Sequence, residues 1–273
     1  THYPLVLQAS PGDELRMSVD YRTDLFDVET IASLVQRLER VLVAMTTDAA
    51  QRVASVELLD AKVLRRLDEW GNRAVLNAPR GAAASVPTML AAQVARTPDA
   101  VAVSFDDVSL SYRDLDRASN RLAHLLVERG AGRGSYVALL FSRCAEAIVA
   151  MAAVLKTGAA YLPIDPALPA ARIRDMLADA APVIAVTTAE LRARLDGTDL
   201  PVVEVDDPRV ATYPHTALPA PEADDIAYLI YTSGTTGVPK GVAITHANLT
   251  QMITSIRPAL PDSLVWAQCH SYG

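Results

Sequence analysis

The residues best able to do chemistry lie together in segment 230–241, which reads Ile-Tyr-Thr-Ser-Gly-Thr-Thr-Gly-Val-Pro-Lys-Gly. Four small hydroxyl side chains, three glycines and one lysine, Lys240, follow one another there with little bulk between them. Glycine allows backbone conformations and close approaches that a side chain would block, while hydroxyl and backbone N–H groups donate hydrogen bonds. Donors of this kind beside one ammonium group are suited to binding and orienting the oxygens of a polyphosphate.

The spacing of this segment differs from that of a Walker A loop. A GxxxxGK pattern starting at Gly234 requires Gly-Lys at positions 239 and 240, and position 239 is proline. The alternative reading of such a composition is a flexible Gly/Ser/Thr connector between two strands.

The elements that must position the segment form an α/β pattern. From Val86 onward, apolar runs typical of buried strands alternate with amphipathic helical patterns, which predicts layered, mainly parallel sheets with helices on both faces. Ligands of such sheets bind beyond the carboxyl ends of the strands, and segment 230–241 follows the apolar run 226–231. The predicted strands are 136–141, 160–162, 183–186, 202–205, 226–231 and 242–245; the predicted helices include 145–156, 171–178, 189–195 and 246–256.

The whole string Thr-Ser-Gly-Thr-Thr-Gly-x-Pro-Lys-Gly resembles the phosphate loop of adenylate-forming enzymes: acyl-CoA synthetases, luciferases and the adenylation domains of nonribosomal peptide synthetases. The resemblance implies ATP, with Mg²⁺, as the nucleotide. It also assigns the hydroxyls and the lysine as phosphate contacts and the glycines as the backbone that allows those contacts. The contacts are Thr232, Ser233, Thr235, Thr236 and Lys240, and the glycines are Gly234, Gly237 and Gly241.

Three further stretches add to the resemblance. Segment 155–166, Leu-Lys-Thr-Gly-Ala-Ala-Tyr-Leu-Pro-Ile-Asp-Pro, resembles an element of peptide-synthetase adenylation domains, and segment 110–115 resembles another with Asp114 in place of the usual Glu. The first 70 residues, ending near Trp70-Gly71-Asn72, look like the C-terminal part of a condensation domain. The predicted division is therefore a small α+β condensation remnant at 1–70, a Gly/Asn/Pro/Ala-rich linker at 71–85 and an incomplete adenylation domain at 86–273.

Composition limits the other classes of function. The chain has 273 residues, a net charge of −7 and scattered basic residues, so neither a nucleic-acid nor a membrane partner is predicted. The two cysteines lie far apart and predict neither a disulfide framework nor a zinc site. With no signal-peptide pattern, the cytoplasm is the default location.

Together these features predict part of a nonribosomal peptide synthetase that activates an amino acid as its adenylate. The resemblance adds a phosphopantetheine-bearing carrier domain and an upstream condensation domain as partners. Because the family's pocket and adenine-binding elements would follow position 273, the chain alone is expected to have little adenylation activity. The sequence also lacks the paired-histidine motif of condensation domains, so no condensation activity is expected. An acyl-CoA synthetase fragment and a non-catalytic interdomain platform are the alternatives.

Several single residues carry further expectations. His270 lies in His-Ser-Tyr-Gly, which resembles the residues before a pocket-lining element of the family, so His270 is a candidate for the amino-acid pocket. His246 is expected to serve the first turn of its helix. Lys156 is expected near the C-terminus of a helix, where its charge interacts favourably with the helix dipole. Asp224 and Asp225 are expected to be solvated at the start of a strand.

Overall fold

The structure is a computed structural model that describes residues 3–77, 84–232, 240–261 and 264–272, apart from the side chains of 74 and 75. The chain divides into two compact units, 1–79 and 80–273.

Within its described residues, the first unit contains a strand hairpin and three α-helices. Its strands β1 (Leu5–Ser10) and β2 (Arg16–Tyr21) pair antiparallel, as the alternation of apolar residues predicts. Helix α1 (Val28–Thr47) begins at Asp27, whose side chain accepts hydrogen bonds from the backbone N–H and the hydroxyl of Thr30. The described residues of α1 bury Ile31 alone and leave Leu34 exposed, so this unit holds little core of its own.

The predicted linker is not entirely irregular. Helix α2 (Ala61–Trp70) is followed by a single helical turn, α3 (Arg73–Leu76), inside the stretch 71–85. Asn72 has a positive φ of 53°, which ends α2 and redirects the chain, and Arg73 then forms an ion pair with Asp68 at 3.1 Å. These local contacts shape the first part of the stretch.

The second unit is a six-stranded sheet with helices on both faces, which confirms the predicted fold class. Strand order is β10-β9-β6-β5-β7-β8; all neighbours are parallel except the antiparallel pair β9–β10, and β3 and β4 form a separate hairpin. The strands are β3 (Val101–Phe105), β4 (Val108–Ser111), β5 (Tyr136–Leu140), β6 (Ala160–Ile164), β7 (Ile184–Thr187), β8 (Val202–Glu204), β9 (Ile226–Thr232) and β10 (Lys240–Thr245). The helices are α4 (Val86–Arg96), α5 (Tyr112–Glu128), α6 (Ala145–Thr157), α7 (Ala170–Ala180) and α8 (His246–Ile256).

Strand β5 shows how the sheet separates two cores. Val137 and Leu139 point to the side of α5 and α6, whereas Ala138 and Leu140 point to the side of α7. All four side chains are at most 2% exposed, as a strand buried on both faces requires.

Local signals set most element boundaries, with one failure. Ser111 and Asp114 form a reciprocal capping box at the start of α5, so the shorter Asp still caps where the family has Glu. Gly158 ends α6 with a φ of +80°. The predicted helix 189–195 is wrong: only a 3₁₀ turn forms at Arg192–Leu195, and Leu195 is its one buried residue. A segment that buries one apolar side chain gains too little from packing to hold a longer helix.

Lys156 lies in the last turn of α6, as predicted, and it is buried there. Its side chain is 8% exposed, and its ammonium group donates to Asp116 Oδ1 at 2.7 Å, Ser119 Oγ at 2.8 Å and Asn120 Oδ1 at 2.8 Å. Burial lowers the pKa of Lys156, and the Asp116 carboxylate opposes that shift. Asn120 also donates to the carbonyl of His215, so this network joins α5, α6 and the long loop before β9.

Candidate functional site

The predicted phosphate segment is attached to the carboxyl edge of the parallel sheet. Strand β9 runs parallel to β6 and ends there at Thr232, and the antiparallel β10 begins there at Lys240. Thr232 and Lys240 are directly opposite each other in the strand register. Residues 233–239, which include the predicted contacts Ser233, Gly234, Thr235, Thr236 and Gly237, lie outside the described residues.

The strand register determines which side chains share a face at this edge. Directly opposed residues of an antiparallel pair project to the same face, with Cβ atoms about 4.5–5.5 Å apart. The Thr232 hydroxyl and the Lys240 ammonium therefore emerge together, and both residues are exposed. One neutral donor and one cation side by side at a strand end form an arrangement that can bind a phosphate oxygen.

Gly241 has a packing reason to be glycine. It lies opposite Tyr231 within the hairpin, and a Cβ at position 241 would be 3.3 Å from Cζ of the Tyr231 ring. That distance is tighter than ordinary van der Waals contact, so the aromatic ring occupies the space of the missing side chain. The structure thus places Gly241 inside β10, beneath a ring, next to Lys240.

A second feature of the same edge is a cavity of about 490 Å³. It is lined by residues that follow β5 and β6 and by the end of the chain: Phe141, Ser142, Arg143, Asp165, Pro166, Ala167, Ser271 and Tyr272. Arg143 donates to the carbonyl of Cys269 at 2.6 Å, and Tyr272 packs against the core on the α5 and α6 side. His270, the predicted pocket residue, is exposed and is not among the lining residues of this cavity.

The opposite edge of the sheet contains a buried polar junction that single-residue reasoning missed. Asp225 is not solvated: its side chain is 10% exposed and pairs with Arg133 Nε at 2.7 Å. Its backbone carbonyl accepts from His246 N–H, and Val86 N–H donates to His246 Nδ1 at 3.3 Å. His246 therefore joins the starts of α8 and α4 rather than serving its own first turn alone. The pattern of apolar residues around Asp225 and His246 does not indicate that either side chain has a distant partner.

The pKa of His246 is lowered by burial, with Asp225 opposing the shift, and this makes the fold acid-sensitive. A pKa below 6.5 in the folded state means that the unfolded chain binds this proton more readily. The stabilisation is therefore complete above pH 6.5 and is lost as the pH falls through the folded pKa. We expect the unfolding free energy to decline by at most about 1.4 kcal/mol per pH unit from this group.

Chemical denaturation between pH 7.5 and 5 measures this effect. In His246→Asn the amide oxygen replaces Nδ1 as acceptor and the titrating group is gone, so its stability should vary less with pH than that of the natural chain. Equal pH slopes for the two proteins would contradict the assignment.

Another cluster that the sequence did not predict includes Tyr231, near the start of the predicted phosphate segment. The Tyr231 hydroxyl donates to Asp179 Oδ2 at 2.5 Å, and the Arg172 guanidinium lies 5.6 Å from the centre of the Tyr231 ring. Burial, followed by the Asp179 carboxylate, raises the pKa of Tyr231 to about 12, so its hydroxyl is a donor at neutral pH. Asp179 and Tyr231 are 52 positions apart in sequence, and no local pattern links them.

None of the helices in the described parts of the chain is both long and apolar enough to cross a membrane.

Comparisons with known proteins agree with this fold. Residues 90–273 match the family model described as AMP-binding enzyme, and residues 1–67 match the condensation domain model. The chain is 58% identical over 256 residues to isonitrile lipopeptide synthase of Mycobacterium tuberculosis (strain ATCC 25618 / H37Rv), covering 94% of this chain and 10% of that protein. It is 37% identical over 264 residues to surfactin synthase subunit 3 of Bacillus subtilis (strain 168), covering 94% and 20%.

A solved structure shares the fold. A crystal structure of the nonribosomal peptide synthetase FmoA3 with alpha-methyl-L-serine-AMP bound superposes with a TM-score of 0.78 at 28% identity, covering 94% of this chain and 29% of that one. The chain thus spans less than a third of the length of each of these relatives. It belongs to the AMP-binding enzyme family, and its condensation and AMP-binding parts together identify it as nonribosomal peptide synthetase sequence.

Proposed function

We propose that the polypeptide containing this chain activates an amino acid with ATP and that the β9–β10 hairpin holds the triphosphate. The observation that carries the proposal is the register of Thr232 opposite Lys240 at the carboxyl edge of a parallel sheet. The proposed domains are 1–70, 71–85 and 86–273, and the proposed compartment is the cytoplasm.

The proposed reaction has two steps. A carboxylate oxygen of the amino acid forms a bond to the α-phosphorus of ATP while the bond from that phosphorus to the bridging oxygen breaks, and pyrophosphate leaves. The thiol of a phosphopantetheine group on a carrier domain then attacks the acyl carbon, a base accepts the thiol proton, and AMP leaves. The adenylate-bound state of FmoA3 supports an aminoacyl adenylate as the intermediate.

The residues of this chain would act by positioning and by charge. The Lys240 ammonium would neutralise the β- and γ-phosphates, and the hydroxyl of Thr232 would donate to a phosphate oxygen beside it. The sequence supports the same role for Ser233, Thr235 and Thr236, with Gly234, Gly237 and Gly241 permitting close approach of the backbone.

Mg²⁺ would be bound through the oxygens of the triphosphate. The described residues contain no group of three or more His, Cys, Asp or Glu side chains able to hold a metal, and Mg²⁺ commonly binds through substrate phosphates. His270, exposed beside the cavity at the same edge, remains a proposed contributor to the amino-acid pocket.

Amino-acid-dependent exchange of labelled pyrophosphate into ATP tests this function. The full polypeptide would be assayed with a panel of proteinogenic, D- and β-amino acids, and with fatty acids plus coenzyme A. We expect exchange with one or a few amino acids and no exchange when no carboxylic acid is added. Exchange that depends on fatty acids would support the acyl-CoA synthetase alternative, and no exchange with any acid would support an interdomain platform.

A further inference from the structure

We propose that Asp179, acting through Tyr231, positions the phosphate-binding hairpin. We call the contacting residues Asp179, Tyr231, Arg172 and Gly241 the hairpin brace. The inference rests on the proposed function, because it concerns how the same site is held. It assigns to helix α7 a part in ATP binding that neither the sequence motifs nor the family match indicates.

The position of Tyr231 in the hairpin is the first support. Tyr231 directly precedes Thr232, and its cross-strand partner Gly241 directly follows Lys240. The ring therefore touches both strands of the hairpin one residue from the two proposed phosphate contacts.

The second support is the rigid element on which Asp179 lies. Helix α7 is anchored in the core by Ile173, Met176 and Leu177, which are at most 8% exposed. Leu229 and Tyr231 of β9 pack against the same core cluster. The carboxylate is thus presented to the Tyr231 hydroxyl from a fixed support.

The third support is that helix stability does not explain Asp179. This residue lies in the last turn of α7, where a negative charge interacts unfavourably with the helix dipole. A carboxylate at this position is accounted for when it accepts a hydrogen bond from outside the helix. The observed use is the 2.5 Å hydrogen bond from the Tyr231 hydroxyl, with the Arg172 guanidinium over the ring.

The hairpin needs such a support because of its place in the sheet. Strand β10 is the edge strand of the described sheet and is bonded to β9 alone. Binding a phosphate productively requires donors held to within about 0.5 Å of their working positions. The brace fixes the base of the hairpin from the α7 side, whereas Thr232 and Lys240 face the other side of the strand pair.

The test compares substitutions in the full polypeptide. Tyr231→Phe keeps the ring over Gly241 and removes only the hydroxyl, and Asp179→Ala removes its acceptor. We expect each variant to raise the KM for ATP in pyrophosphate exchange about tenfold, with the KM for the amino acid unchanged. Asp179→Asn keeps an acceptor oxygen and should restore most of the affinity for ATP.

Two further measurements separate positioning from general stability. Hydrogen exchange of the backbone amides in β10 should be about five- to tenfold faster in Tyr231→Phe, with the α5 and α6 amides unchanged. The double variant Tyr231→Phe/Asp179→Ala should be no worse than either single variant, because both remove one hydrogen bond. Asp175→Ala is the matched control, since Asp175 is an exposed carboxylate one turn earlier on α7.

The outcomes distinguish this inference from the proposed function. A natural protein that exchanges pyrophosphate, together with a Tyr231→Phe variant of unchanged KM for ATP and unchanged β10 exchange, would overturn the brace and leave the function intact. Absence of exchange in the natural protein would remove the function itself. The hydrogen exchange result would then still decide whether Asp179 and Tyr231 hold the hairpin.

Discussion

Replacing Lys240 with alanine is expected to lower the rate of amino-acid-dependent pyrophosphate exchange about 100-fold in the full polypeptide, because removing one preorganised charge from a phosphoryl site has effects of that size. Lys240 is exposed at the start of β10, so its loss removes an ammonium group without disturbing the core. Rates at saturating ATP separate this effect from weaker nucleotide binding.

The chain offers matched controls for this substitution. It has three lysines, and Lys62 is an exposed lysine on α2 in the first unit. Lys62→Ala should exchange at the natural rate. Lys240→Arg keeps the charge but changes its geometry, so it should fall between the natural protein and Lys240→Ala. If Lys240→Ala and Lys62→Ala were equally active, Lys240 would have no role at the triphosphate.

Replacing Asp116 with alanine is expected to lower the unfolding free energy of the second unit by about 3 kcal/mol, because it leaves the buried Lys156 ammonium without its carboxylate. This loss lies at the lower end of the range for a broken buried pair, because the Asp116 side chain is 26% exposed. Ser119 and Asn120 still accept from Lys156, but neither supplies a negative charge. Denaturant unfolding followed by circular dichroism measures the change.

Two comparisons establish that burial is the cause. Asp99→Ala removes an ion pair of similar length, 2.9 Å to Arg113, but with an aspartate side chain that is 77% exposed, so it should change stability little. The double variant Asp116→Leu/Lys156→Met removes both charges and should recover part of the loss. An Asp116→Ala protein as stable as Asp99→Ala would show that the Lys156 network contributes no stability.

The sequence alone determined the kind and order of the elements in the second unit. Strand and helix periods, the Ser111 cap and the left-handed glycine at 158 are local signals, and the structure has elements where they predict them. The layered, mainly parallel sheet follows from the same pattern. The helix predicted at 189–195 does not form, because this segment has too little apolar surface to bury.

Only the tertiary structure decided what surrounds each polar side chain. Lys156, Asp225 and Tyr231 lie in ordinary local contexts, and their partners Asp116, Arg133 and Asp179 are 40, 92 and 52 positions away. Such contacts depend on which strands become neighbours and which face each helix covers. The residues proposed to bind phosphate stand out by their types and spacing, whereas Tyr231 and Asp179, at the base of the hairpin, are brought together by packing across the sheet.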